Sequence, residues 1–232
     1  MTEELPVAKI QRVRLLETRV WFPSQESRTS LKAAQCLQRI LLEFSGGKTP
    51  PLARYAVDYF AIETFFSNSS DRTSKKTART LHDVFQVVMG WTDSHLHQFL
   101  DAPIVYSVPS GDDYPGQERL DERRFRLADV ARHEKASFIY EYDFGDSWAH
   151  EVVVEKILPA DPKKKYAVCL DGKNACPPED CGGIWGYYEL LKVVKNPKHK
   201  EHQATLDWLG GPFDPGHFDL QKINAELRCL RA

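Results

Sequence analysis

Apolar residues recur along this chain with two periods, and the switch between them marks its organisation. Leu81, Val84, Phe85, Val88 and Met89 fall at i, i+3, i+4, i+7 and i+8, which predicts an amphipathic helix ended by Gly90. From Phe138 to Glu155 the period drops to two. Phe138, Tyr140, Tyr142 and Phe144 alternate with other residues, Gly145-Asp146 can turn the chain, and Trp148 and His150 begin a return arm. Helical spacing then resumes with Tyr187, Leu190, Leu191 and Val194, stopped by Asn196-Pro197. A further helix is predicted from about Lys200 to Leu209 before Gly210-Gly211, and a last one from Asp219 that buries Leu220, Ile223 and Leu227.

Upstream the pattern is looser. Residues 7–22 fit a strand or a helix equally well. Ser30 reads as the cap of a helix carrying Leu31, Ala34, Leu37, Leu41 and Phe44, and residues 53–66 suit a helix only loosely. The polar stretch Ser67 to Thr80 reads as a linker. A strand through residues 91–100 would place His95, His97 and Phe99 on one face, residues 107–123 read as a surface loop, and Leu127 to Val130 as a short helix. The order of elements predicts an α+β fold, an antiparallel sheet with a central hairpin near 136–155 packed against several helices.

The hairpin sorts its residues by chemistry. With Gly145-Asp146 as a two-residue type II′ turn, Glu141 faces His150 and Asp143 faces Trp148 across the strands. One face then collects Phe138, Tyr140, Tyr142 and Phe144 as core. The other collects Glu141, Asp143, Trp148 and His150. That polar face fits either an ordinary half-exposed sheet surface or a ligand site, and a carboxylate beside His150 would raise its pKa in both. Downstream, Cys176-Pro177-Pro178-Glu179-Asp180-Cys181-Gly182-Gly183 puts two carboxylates before a helix start, where they would cap free N–H groups.

Composition narrows the functional classes. Thirty-one Lys and Arg against 33 Asp and Glu leave a net charge of −2, which does not support a broad nucleic-acid surface. No run approaches the ~20 apolar residues of a membrane span, and the N-terminus lacks a secretory pattern. Five cysteines in 232 residues fit a reduced, cytoplasmic protein. Cys169, Cys176 and Cys181 with His150 would make a Cys₃His zinc set, although the tight C-x₂₋₄-C knuckles usual in structural zinc sites are absent. His95 and His97 with Glu141, Asp143 or His150 offer a second way to hold a divalent cation. No phosphate-cradling glycine motif and no nucleophile with an oxyanion-hole setting occurs.

Four segments carry a resemblance: LHDVFQVVMGWTDSHLHQF (81–99), YEYDFGDSWAH (140–150), CPPEDCGGIWGY (176–187) and WLGGPFDP (208–215). In order and spacing they resemble the plasmid pRiA4b ORF-3-like family over roughly residues 78–230. The resemblance implies an α+β fold and an origin among plasmids, mobile elements and bacterial chromosomes, without an established activity. The first 75 residues depart from the family pattern and are expected to form a divergent, partly helical region ahead of a domain over 76–232. The reading that follows is a non-enzymatic binding module for a protein or small polar ligand, its face lined by His95, His97, Glu141, Asp143, Asp146, Trp148, His150, Glu179 and Asp180. A metal-dependent hydrolase using His95, His97, His150 and nearby carboxylates is the alternative, and nucleic-acid association the weaker one.

Overall fold

The computed structural model describes residues 8–16, 59–63, 78–109, 118–124, 127, 132–159 and 166–230. Among these residues eight strands form one sheet: β1 (Ala8–Leu16), β2 (Tyr59–Glu63), β3 (His97–Asp101), β4 (Ile104–Ser107), β5 (Glu118–Asp121), β6 (Ser137–Tyr142), β7 (Trp148–Pro159) and β8 (Val168–Lys173). Their spatial order is β5-β4-β3-β6-β7-β1-β2-β8. Only the β4–β5 pair is parallel, so the fold is α+β with a mixed, mainly antiparallel sheet. The helices are α1 (Ala78–Met89), α2 (Gly183–Val194), α3 (His202–Leu209) and α4 (Leu220–Cys229).

The helical stripe of α1 behaves as its spacing predicts. Leu81, Val84, Phe85, Val88 and Met89 are all buried, and Gly90 follows at φ 73°. Phe85 packs on Tyr140 with ring centroids 4.9 Å apart, and Phe99 packs on the same ring at 5.2 Å. Leu227 of α4 closes the same core, and Asp219 caps α4 by accepting from the Lys222 N–H at 2.9 Å. Gly210, at φ 76°, ends α3.

Several upstream and loop expectations change. Residues 59–63, expected within a loose helix, pair as a strand between β1 and β8, and residues 8–16 resolve as a strand between β7 and β2. The stretch 107–123 is not loop throughout. It supplies β5 and the buried Glu122, because pairing alongside β4 satisfies its backbone. The expected helix over 31–44 lies outside the described residues, as does residue 67 to 77 of the expected linker.

The hairpin register differs from the expected one, and the difference reorders the site. Tyr142 pairs with Trp148, Glu141 with Ala149, Tyr140 with His150 and Phe138 with Val152. The connection is therefore the five-residue loop 143–147, not a two-residue turn. Asp143 causes this: its Oδ1 accepts from the N–H groups of Gly145 at 2.9 Å and Asp146 at 3.3 Å, and its carbonyl accepts from Ser147 at 2.6 Å. An aspartate side chain that takes up the loop's own donors builds a turn of its own. A shift of one residue exchanges the faces of a strand. Trp148 and His150 consequently lie beneath the sheet with the tyrosines, both buried, and Phe144, expected inside, is 42% exposed.

Candidate functional site

Three loops meet at one end of the sheet: residues 91–96 after α1, the hairpin loop 143–147, and residues 176–182 before α2. Trp91 donates its indole N–H to the Pro177 carbonyl at 2.9 Å. The Tyr142 hydroxyl accepts from the Ser94 N–H at 3.0 Å and the His95 N–H at 3.3 Å, and donates to Glu179 Oε1. Thr92 donates to the other Glu179 oxygen. Asp146 Oδ2 accepts from the Gly182 N–H at 3.1 Å, and a Cβ at Gly183 would stand 2.9 Å from the Asp146 carbonyl oxygen. The hairpin loop and the helix entry thus fit only because residue 183 has no side chain.

These bonds sort the carboxylates. Burial alone would raise the pKa of Glu179, but the hydrogen bonds from Thr92 and Tyr142 outweigh it and hold the group below its ordinary value. Glu179 is accordingly an ionised tie between loops. Asp146 also ties two loops, through its bond from the Gly182 N–H. Neither Glu179 nor Asp180 caps α2, contrary to expectation: its N-cap is Gly182, in the left-handed region, with no side-chain cap. What remains is a rim in which Asp180 is turned outward, His95 is half-buried and Asp143 is buried. His95 Nε2 lies 3.1 Å from Asp180 Oδ1 and 3.8 Å from Asp143 Oδ2, without hydrogen-bond geometry to either. Asp180 is 70% exposed at its side chain. Leu96, Phe144 and Trp185, one from each of the three loops or the helix that follows, are exposed apolar neighbours in sequence of this rim.

The other expected site residues lie elsewhere. Glu141 is on the opposite face of the sheet, where it accepts from Gln98 Nε2 at 2.7 Å. Trp148 is core, 6.4 Å from the Trp91 ring, and offers no surface to a ligand. His150 sits between the Trp91 and Tyr140 rings at 5.6 and 5.9 Å. Its Nε2 has no hydrogen-bond partner among the described residues, and burial pushes its pKa down to about 3, the reverse of the expected rise. With no carboxylate beside it, nothing favours the charged form.

His95, His97 and His150 do not converge, and neither does the Cys₃His set. Among the described residues no group of three or more potential ligands contains a cysteine. Cys169 is held in β8 by Asn224, which bonds both its N–H and its carbonyl, at 2.9 and 2.8 Å. Burial raises the Cys169 and Cys181 thiols to about 12 and Cys176 well above its ordinary value.

A second polar group lies deeper, and residue spacing does not reveal it as a set. His82 of α1 stacks on His97 of β3, with ring centroids 3.5 Å apart and planes at 12°. His82 Nε2 lies 2.8 Å from Asp93 Oδ1, and His97 Nε2 lies 2.8 Å from Glu122 Oε2. Both imidazoles and Glu122 are buried. The helical spacing held a signal for it, since His82 and Gln86 stand at i and i+4 beside the apolar stripe and both prove buried. Glu122 gave none, lying in a stretch rich in Pro, Gly and Asp.

The profile of the plasmid pRiA4b ORF-3-like protein family matches residues 73–222, and the chain belongs to that family. It is 36% identical over 154 residues to "Uncharacterized protein y4hQ" of Sinorhizobium fredii (strain NBRC 101917 / NGR234), an alignment covering 66% of this chain and 78% of that one. Its fold is similar to the crystal structure of a protein of unknown function, MM3350 from Methanosarcina mazei Go1. That match has a TM-score of 0.61 and 26% identity, covering 93% of this chain and 97% of the other. The relatives carry no stated activity. No helix among the described residues is long and apolar enough to cross a membrane.

Proposed function

We propose that this chain is a binding module that takes a cationic partner, a Lys- or Arg-bearing protein segment with apolar side chains, on the rim formed by His95, Asp143 and Asp180. The observation that carries the reading is the convergence of three loops on that rim. Asp180 and the Oδ2 of Asp143 there face one imidazole, while Glu179, Asp146 and the Oδ1 of Asp143 are spent holding the loops in place. Exposed Leu96, Phe144 and Trp185 add apolar surface of the kind that anchors a partner's side chains. Charge at such a rim steers and selects more than it binds, so the aromatic and aliphatic contacts would supply most of the affinity.

The test is a titration of a labelled peptide of alternating arginine and aromatic residues against the full chain, read by anisotropy at low and moderate salt. An acidic peptide of equal aromatic content serves as control. Binding that favours the basic peptide, weakens with salt and falls about tenfold in the Asp143→Asn/Asp180→Asn double variant is expected. Equal binding of both peptides, or none, would remove this reading. Asparagine is chosen because both positions lie at positive φ, 55° and 57°, which it tolerates.

A further inference from the structure

We propose that His82, Asp93 and His97 form a largely buried site for a first-row divalent transition-metal ion such as zinc, with Glu122 as the hydrogen-bond partner of His97. This proposal does not depend on the rim reading above. One ligand atom from each of His82, Asp93 and His97 lies within 4.8 Å of the other two, and the three residues come from three separate segments: α1, the loop after it and β3. Two imidazoles and a carboxylate suit zinc, cobalt, nickel or manganese, and do not suit calcium or magnesium, which take oxygen-dominated shells.

Three observations support a cation here. The first is composition. Two buried histidines, each 2.8 Å from a carboxylate, meet in a core otherwise built of rings and aliphatic chains. The second is proximity. The two imidazoles stack with ring centroids 3.5 Å apart and planes at 12°, which sets two candidate ligand rings side by side.

The third is orientation. Gln86 accepts from the Asp93 N–H at 2.8 Å and donates to the Tyr140 hydroxyl at 3.1 Å, and that hydroxyl lies 2.9 Å from His82 Nδ1. This chain of bonds locks the His82 ring with Nε2 toward Asp93. With the Tyr140 hydroxyl donating to Nδ1, Nε2 carries the proton shared with Asp93, and a bound cation would take the place of that proton and join the imidazole to the carboxylate. Access is present at Asp93, whose side chain is 39% exposed.

The test uses the full chain made without a polyhistidine tag and stripped with a chelator. Titration with Co²⁺ is followed by its visible absorption and competition with Zn²⁺ by displacement of that signal, with elemental analysis for stoichiometry. One ion per chain is expected, with affinity reduced about tenfold or more by Asp93→Asn and by His97→Gln and unchanged within about twofold by His95→Ala. Asp93 is partly exposed and sits at φ 56°, where asparagine is at ease, so this variant reports even if His97→Gln fails to fold. Failure of the parent chain to bind either ion would overturn the proposal. So would an ion whose affinity depends on His95 and is indifferent to Asp93, since that ion would belong to the rim.

Discussion

Two histidine–carboxylate groups touch the ring of Tyr142 and share almost nothing beyond composition. His82, stacked on His97, is 6.3 Å from that ring, and His95 is 5.8 Å from it. The inner group is sealed in the core and oriented by Gln86 and Tyr140. The rim group has an exposed aspartate and no hydrogen bond between its histidine and its acids. What separates them is the use of each carboxylate. Where burial is complete, every acid found here has a specific partner, because an unpaired one would not persist. At the surface water does that work, and a carboxylate can be kept for a visitor.

The comparison breaks if the interior tolerates charge as easily as the rim. His150 gives the largest effect. Its folded pKa of about 3 lies below the ~6.5 of an unfolded histidine, so between those values the unfolded chain binds the extra proton. Its contribution to stability is therefore fully present above pH 6.5 and is lost as pH falls toward 3, at a total of order 5 kcal/mol. Urea unfolding of the parent chain and of His150→Leu at a series of pH values isolates this part. The variant should have a shallower acid slope by about one proton, and equal slopes would place His150 in a wetter setting than the core described here.

Glu122→Ala comes second. It strands His97 in the core beside an empty space, and loss of one partner of a buried pair costs about 3 kcal/mol or more. The denaturation midpoint in urea should fall sharply. A change under about 1 kcal/mol would mean that Glu122 is not a necessary partner of His97, and the contrast between core and rim would weaken accordingly.

The sequence carried most of the scaffold and half of the rim. The helical stripe from Leu81 to Met89, the stop at Gly90, the cap at Asp219 and the presence of a hairpin all follow from local preference, and all are found. The meeting of His95 with Asp143, Asp146, Glu179 and Asp180 was anticipated from the motifs, though not which acids would be spent as ties. Register failed because a side chain decided it. Asp143 folds back on the loop's N–H groups, a choice that residue periodicity does not encode, and this one residue moved Trp148 and His150 to the other face. His82 and Glu122 were missed for a different reason: a polar residue inside an apolar stripe, and another in a glycine-rich stretch, show their burial only when distant segments close over them.

Asp180→Asn should do least to stability and most to distinguish the groups. Asp180 is 70% exposed at its side chain and its contact with His95 lacks hydrogen-bond geometry, so loss of its charge should change unfolding free energy by no more than about 0.5 kcal/mol. Asparagine accepts the φ of 57° as aspartate does, so the backbone adds no cost of its own. The same variant should nonetheless weaken the basic peptide. A stable protein with impaired binding would mark the rim as surface held for a partner. A destabilised protein with binding intact would instead make Asp180 a brace for the loops, and the contrast between the two groups would reduce to depth alone.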